Sequence, residues 1–169
     1  QDKNKKQRNY ADVIYFSERC NYQIGDRLYA LEVWRETNQK SSWKSKLQNI
    51  VQHDVTKLSE KNIKKLIKKI QGDKAEKKIL LGFVSAFELI CKYLEKNNLY
   101  LNNSNIKSVI ANSEYLNPYT KKTLSKYLGC NILSRYSSEE IGIIAHQTLR
   151  APDKFTINHA SYEIEILNF

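Results

Sequence analysis

Hydrophobic residues recur at helical spacing in several separate segments of this chain. The most apolar segment, residues 77–96, reads KKILLGFVSAFELICKYLEK. Its apolar positions follow three- and four-residue spacing and cover most of the helix circumference, a pattern typical of a helix buried among others. Glu88 and Lys92 lie in its middle and argue against a membrane span. We therefore expect a central buried helix in which Phe83 is a core residue.

Two further helices have clear start and stop signals. Ser59 precedes an amphipathic stretch that ends at Gly72, and glycine is favoured just past a helix end. Asn117 followed by Pro118 predicts a helix start, with Asn as N-cap and Pro in the first turn, and Gly129 predicts the end. Weaker helical patterns cover residues 26–36, 43–51, 104–110 and 137–149.

The last part of the chain changes to a period of two. Phe155 and Ile157 alternate with polar residues, and a second alternating run begins at Tyr162. Two such runs around a short turn predict a β-hairpin. Residues 11–17, ADVIYFS, are too short to separate a strand from the first turns of a helix. As a strand, they could pair with the hairpin.

These patterns together predict a mainly α-helical protein. We expect a compact bundle of about six to seven helices with a small C-terminal β-hairpin. The charged residues 1–9 are expected to form a flexible basic arm, followed by a single domain over residues 10–169 whose β-element covers residues 154–169. A chain of 169 residues suits one domain.

The charge of the chain suggests an acidic partner. The formal net charge is +10, and clustered lysines suit the phosphates of a nucleic-acid backbone. The cluster is on the helix after Ser59 and the turn that follows it: Lys61, Lys64, Lys65, Lys68, Lys69, Lys74, Lys77 and Lys78. We therefore predict a noncatalytic protein that binds DNA or RNA through this lysine face. A solvated helix face is the structural alternative, and an interaction or assembly subunit that binds an acidic protein is the functional one.

Residues 123–136 partly resemble a helix-turn-helix DNA-binding unit. Leu124, Ser125, Leu128 and Gly129 match its leucine, small-residue and glycine positions. Arg135, however, stands where the motif needs a buried Val or Ile. A helix that simply ends at Gly129 is the interpretation we favour.

A third alternative is a small nuclease or toxin. His159, Glu163 and Glu165 could supply metal ligands or acid–base groups, with His146 as a further candidate. Asp153 followed by Glu163 and Glu165 also resembles the PD-(D/E)xK nuclease pattern, although Glu165 replaces the expected lysine. The idea requires these side chains to converge in one cleft.

The remaining features predict no cofactor and no metal. The three cysteines, Cys20, Cys91 and Cys130, have no zinc-ligand spacing. No P-loop, GxGxxG, HExxH or GxSxG motif is present, which favours a noncatalytic protein. Without an apolar N-terminal segment or a transmembrane stretch, we expect a cytoplasmic protein, and the sequence leaves its oligomeric state open.

Overall fold

A computed structural model describes residues 3–35, 39–138, 140–165 and 167. The described residues form five helices and seven strands. The helices are α1 (Lys3–Glu18), α2 (Ser42–Leu47), α3 (Glu60–Gly72), α4 (Val84–Lys96) and α5 (Pro118–Leu128). The strands are β1 (Arg27–Glu32), β2 (Ile50–Asp54), β3 (Lys78–Phe83), β4 (Ile106–Asn112), β5 (Asn131–Ser138), β6 (Gly142–Thr148) and β7 (Ala151–Ile157). No helix among these residues is long and apolar enough to cross a membrane.

The strands form one mixed sheet, so the prediction of a mainly α-helical bundle is wrong. Their order is β2-β1-β3-β4-β5-β6-β7. The first five are parallel, and β6 and β7 extend the sheet as antiparallel strands. Strands that alternate with helices in this order define a doubly wound α/β fold.

Helices cover the two faces of the sheet unequally. On the first face, α3, α4 and α5 pack on residues such as Tyr29, Leu80 and Val109 and form the main hydrophobic core. On the second face, α1 lies against β6, and a small cluster forms around Cys20, Ile79, Ile110 and Leu133. Part of the second face, over β1, β3 and β4, therefore lacks a covering helix among the described residues.

The predicted central helix is two elements. Residues Lys78–Phe83 form β3, and the helix α4 begins only at Val84. A strand in the middle of a parallel sheet is apolar on both faces, because helices cover both sides. The run Ile79–Leu81 therefore fits a buried helix and a buried strand equally well, and periodicity cannot separate them.

Other predicted helices are strands for the same reason. The patterns at residues 26–36, 104–110 and 137–149 correspond to β1, β4 and β6, and the segment 43–51 is divided between α2 and β2. Residues 36–38 and 139 lie outside the described part of the chain. The expected C-terminal hairpin is also wrong, because β7 pairs with β6 and residues 159–165 form no strand.

The N-terminal segment is a helix, which is one of the two forms that the sequence leaves open for residues 11–17. Residues 3–18 form α1, so residues 3–9 belong to a helix and residues 11–17 are not a strand. Residues 1 and 2 lie outside the described part. Asp12 and Phe16 of α1 are buried against the rest of the protein. This helix is therefore part of the domain.

The two helices with explicit capping signals are confirmed. The Ser59 side chain accepts a hydrogen bond from the Asn62 amide at the start of α3. Asn117 accepts one from the Thr120 amide at the start of α5, with Pro118 in the first turn. The helix α5 ends at Gly129, whose φ of 67° is in the left-handed region that favours glycine.

The amino ends of the central strands are held by a polar network. Asp73 accepts a hydrogen bond from the Tyr29 hydroxyl at 2.7 Å and pairs with Arg27 at 3.2 Å. The buried Lys78 ammonium donates to the backbone carbonyls of Asp73 and Ser104. These contacts join α3, β1, β3 and the loop before β4.

The division of residues 77–96 predicts unequal effects of two phenylalanine truncations. Phe87→Ala should lower the free energy of unfolding by about 3–5 kcal/mol, because Phe87 is fully buried and its truncation leaves a cavity. Phe83→Ala should cost less, because Phe83 is only half-buried at the end of β3. Urea unfolding followed by circular dichroism measures both values. Equal losses would contradict the assignment of Phe83 to a strand end.

Candidate functional site

The carboxyl ends of the parallel strands meet at one edge of the sheet, where doubly wound proteins bind ligands. Immediately after β4, Ser113 has a φ of 65°, which turns the chain sharply. The next residue, Glu114, accepts hydrogen bonds from the Ser85 amide at 2.5 Å and the Ser85 hydroxyl at 3.0 Å. A carboxylate is favourable at the N-terminus of α4, so this contact fixes the loop between β4 and α5.

A cavity of about 630 Å³ lies beside this loop. We call it the edge pocket, and its lining includes Ser113, Tyr115, Lys121, Tyr136, Gln147 and Phe155. The side chains of Tyr115 and Tyr136 are 80% and 60% exposed, respectively. The Lys121 ammonium bonds to the Pro152 carbonyl and pairs with Asp153 at 3.0 Å. The edge pocket thus combines accessible aromatic rings with one cation.

A second cavity of about 530 Å³ lies on the incompletely covered second face. We call it the second-face groove, and its apolar lining includes Tyr10, Ile14, Leu28, Ala30, Trp34, Leu47, Leu81 and Ile110. The helix α1 forms one wall, and the other includes Trp34, Lys40, Leu47 and Ile50. An apolar concave surface of this size is typical of a small-molecule site, for which volumes of about 300–1,000 Å³ are usual.

Charged residues lie at the end of the groove that faces the carboxyl edge. Glu32, Lys40 and Arg135 all line it. Burial raises the pKa of Glu32, while the nearby Arg135 and Lys40 lower it. Burial lowers the pKa of Lys40 and Arg135. The Arg135 guanidinium nevertheless stays protonated, because its ordinary pKa lies far above neutral pH.

Arg135 is buried, and the hydrogen bond that its side chain makes among the described residues is with a neutral group. Its side chain is on the second face, where one guanidinium nitrogen donates to the Ser17 hydroxyl at 3.3 Å. Nearby, the Cys20 sulfur lies 3.6 Å from His146 Nδ1, and the His146 ring stacks on Phe16. Burial raises the pKa of Cys20 to about 12 and, with the charge of Arg135, lowers the pKa of His146 to about 3. Both groups are therefore uncharged at neutral pH, and the cysteine is not an activated nucleophile.

The lysine face is divided by the structure. The five lysines on α3 and Lys74 are exposed. Lys77 pairs with Asp26 at 3.0 Å, and Lys78 is only 1% exposed. Lys78 is therefore a structural residue of the polar network at the amino ends of the strands, and its buried ammonium group is not accessible to a phosphate.

The residues proposed for a nuclease do not converge. His146 is fully buried beneath α1, whereas His159, Glu163 and Glu165 are exposed in the segment after β7. No group of three His, Cys, Asp or Glu residues in the described part of the chain could hold a metal ion. The helix-turn-helix resemblance also fails, because β5 follows α5 directly.

Sequence reasoning missed the residues that line the two cavities. Tyr115 follows β4, and Arg135 and Tyr136 lie in β5. The sequence patterns do not predict a strand at either place. The useful signal was the polar residue at the end of each apolar run. Asn112–Glu114 and Ser134–Ser137 both fit that pattern once the runs are taken as parallel strands.

Solved structures that are similar to this chain include CoA ligases. No protein-family model matches the sequence, and no curated protein does. The chain is similar to 2-hydroxyisobutyryl-CoA ligase in the postadenylation state in complex with 2-HIB-AMP, with a TM-score of 0.65, 14% identity and coverage of 88% of this chain and 32% of the ligase. It is also similar to a benzoate CoA ligase from Burkholderia xenovorans LB400, with a TM-score of 0.62, 8% identity and coverage of 93% and 34%. For ATP-bound MatB from Rhodopseudomonas palustris, the values are 0.55, 14%, 85% and 27%.

These similarities establish the fold and correct the predicted function. The chain spans about a third or less of the length of each of these ligases. Its mixed sheet matches domains of acyl-CoA ligases. The prediction of a helical, noncatalytic nucleic-acid-binding protein is therefore wrong.

The buried histidine predicts a specific pH dependence of stability. Because the pKa of His146 is about 3 in the folded protein and about 6.5 when unfolded, the unfolded state binds more protons between these values. The free energy of unfolding should therefore fall as the pH decreases through this window. In His146→Phe the fall should be smaller, whereas His159→Gln, at an exposed position, should behave like the wild type. Urea titrations from about pH 7 to pH 4 measure the slopes, and identical slopes for all three proteins would contradict the burial of His146.

Proposed function

We propose that this chain is the adenylate-binding part of a ligase that activates carboxylic acids. The AMP moiety would lie in the edge pocket, and the apolar part of the acid would lie in the second-face groove. The observation that carries the proposal is the position of the edge pocket, at the carboxyl ends of β4 and β5, in a fold shared with ligases solved with ATP or acyl-AMP.

The edge pocket offers suitable groups for a nucleotide. Tyr115 and Tyr136 present accessible rings on which an adenine base can stack. Lys121 supplies a cation that can interact with a phosphate, although Asp153 already pairs with it. Aromatic stacking and a single cation suit a nucleoside monophosphate better than a triphosphate.

In this proposal the two cavities hold the two reactants of one reaction. Arg135, in β5, lines both cavities. In acid activation, a carboxylate oxygen forms a bond to the α-phosphorus of ATP, and the bond to the departing pyrophosphate breaks. The acid must therefore approach the nucleotide from a neighbouring site, as the groove would allow.

The chain lacks a glycine-rich phosphate loop. Its glycines are Gly25, Gly72, Gly82, Gly129 and Gly142, so no two of them lie close together in the sequence. Such loops hold the β- and γ-phosphates through backbone amides. We therefore expect the contacts with the nucleotide to be limited to its AMP moiety.

This proposal is tested by calorimetric titration of the chain with AMP and with ATP. AMP should bind, and ATP should bind no tighter. Tyr136→Ala should weaken AMP binding by about tenfold, since loss of a base–aromatic stack costs about 1–3 kcal/mol. Tyr119→Ala is the matched control, because Tyr119 is a similarly exposed tyrosine that does not line the edge pocket.

Two results would count against the proposal. Absence of AMP binding to the wild-type chain would remove its basis. Equal losses in Tyr136→Ala and Tyr119→Ala would place the nucleotide somewhere other than the edge pocket.

A further inference from the structure

A buried positive charge in the second-face groove has no ion-pair partner among the described residues. Arg135 is 8% exposed, and none of the ion pairs between described residues involves it. Its Nε is buried and has no hydrogen-bond partner among these residues. The single hydrogen bond to Ser17, at 3.3 Å, is with a neutral hydroxyl. An unpaired buried charge is costly, and the cost falls when an anion binds beside it.

The nearby groups leave this charge uncompensated. Glu32 is the carboxylate that interacts with Arg135, but Lys40 interacts with the same carboxylate. Among the described residues that line this end of the groove, two cations and one anion give a net charge of plus one. Cys20 and His146 are uncharged, as shown above, and so they cannot balance it.

The rest of the groove is apolar. Leu28, Ala30, Leu81 and Ile110 form its floor on the sheet, and residues of α1 and α2 form its walls. A ligand that matches this surface has a hydrocarbon body and a single negative charge at one end. A second charge on its body would have to lie against apolar side chains without a partner.

We propose that the groove binds an apolar monocarboxylic acid and that Arg135 is the specificity-determining residue that binds its carboxylate. This names the substrate class of the proposed ligase and rests on that function for its biological meaning. The carboxylate would lie at the end of the groove that borders the edge pocket, and the hydrocarbon body would extend between α1 and α2.

A series of ligands of equal length tests the charge requirement on the wild-type chain, without nucleotide. Octanoate, octanol, octanedioate and 8-aminooctanoate share the same carbon chain and differ in their end groups. Octanoate should bind at least about tenfold tighter than each of the others, a difference of about 1.4 kcal/mol. Calorimetry gives the affinities. The fluorescence of Trp34, measured in a Trp43→Phe background, reports whether the ligand enters the groove, which Trp34 lines.

Arg135→Met then tests the residue itself. In this variant the affinity for octanoate should fall to that for octanol, while octanol binding should be unchanged because the apolar floor is intact. Arg135→Lys should retain part of the preference for octanoate. Arg150→Met, which removes an exposed arginine outside the groove, is the matched control and should keep the full preference.

The outcomes separate this inference from the proposed function. Failure of octanoate to bind, equal affinities for octanoate and octanol, or an unchanged preference in Arg135→Met would each overturn the inference, even if AMP binds. If octanoate binds with the expected preference but AMP does not bind, the acid site stands and the adenylate-binding function fails.

Discussion

Burial of the first face of β3 and β4 is the constraint on which the rest of this structure depends. Helices α3, α4 and α5 cover this face. Where β3 lies beside β1, Gly82 leaves no room for a side chain, because a Cβ atom there would lie 2.5 Å from the Leu31 carbonyl oxygen. The packed strands position the loop after β4, which lines the edge pocket.

Helices that begin with a capping residue could be predicted from the sequence. Strands whose burial depends on residues elsewhere in the chain could not. The caps of α3 and α5 depend on side chains within a few residues, and both could be identified from Ser59 and Asn117. The residues of β3 and β4 are buried by contacts with other elements, among them α3 and the segment around Cys20, and these contacts cannot be seen in the local pattern of each strand. Their apolar runs consequently have no period of two, which is the signal that separates a strand from a helix.

The candidate site was less accessible to sequence reasoning than the fold. Lysines on α3 are conspicuous in the sequence, but a row of lysines opposite an apolar stripe is also what any solvated helix face requires. Arg135 attracted attention only as a mismatch in a helix-turn-helix pattern. Its significance depends on burial and on the absence of an ion-pair partner among the described residues, which are properties of tertiary contacts. Arg135, which departs from the helix-turn-helix pattern, lines both cavities.

The polar network at the amino ends of the strands lies apart from the loops that line the edge pocket, so substitutions in the two regions should have different effects. Tyr29, Asp73 and Lys78 join α3, β1, β3 and the loop before β4 at one edge, whereas the edge pocket lies at the other. Substitutions in the loops that follow β4 and β5 can therefore accumulate without disrupting the hydrogen bonds of this network. A lineage could therefore change the lining of the edge pocket by exchanging residues of these loops, and the cost in stability would be small.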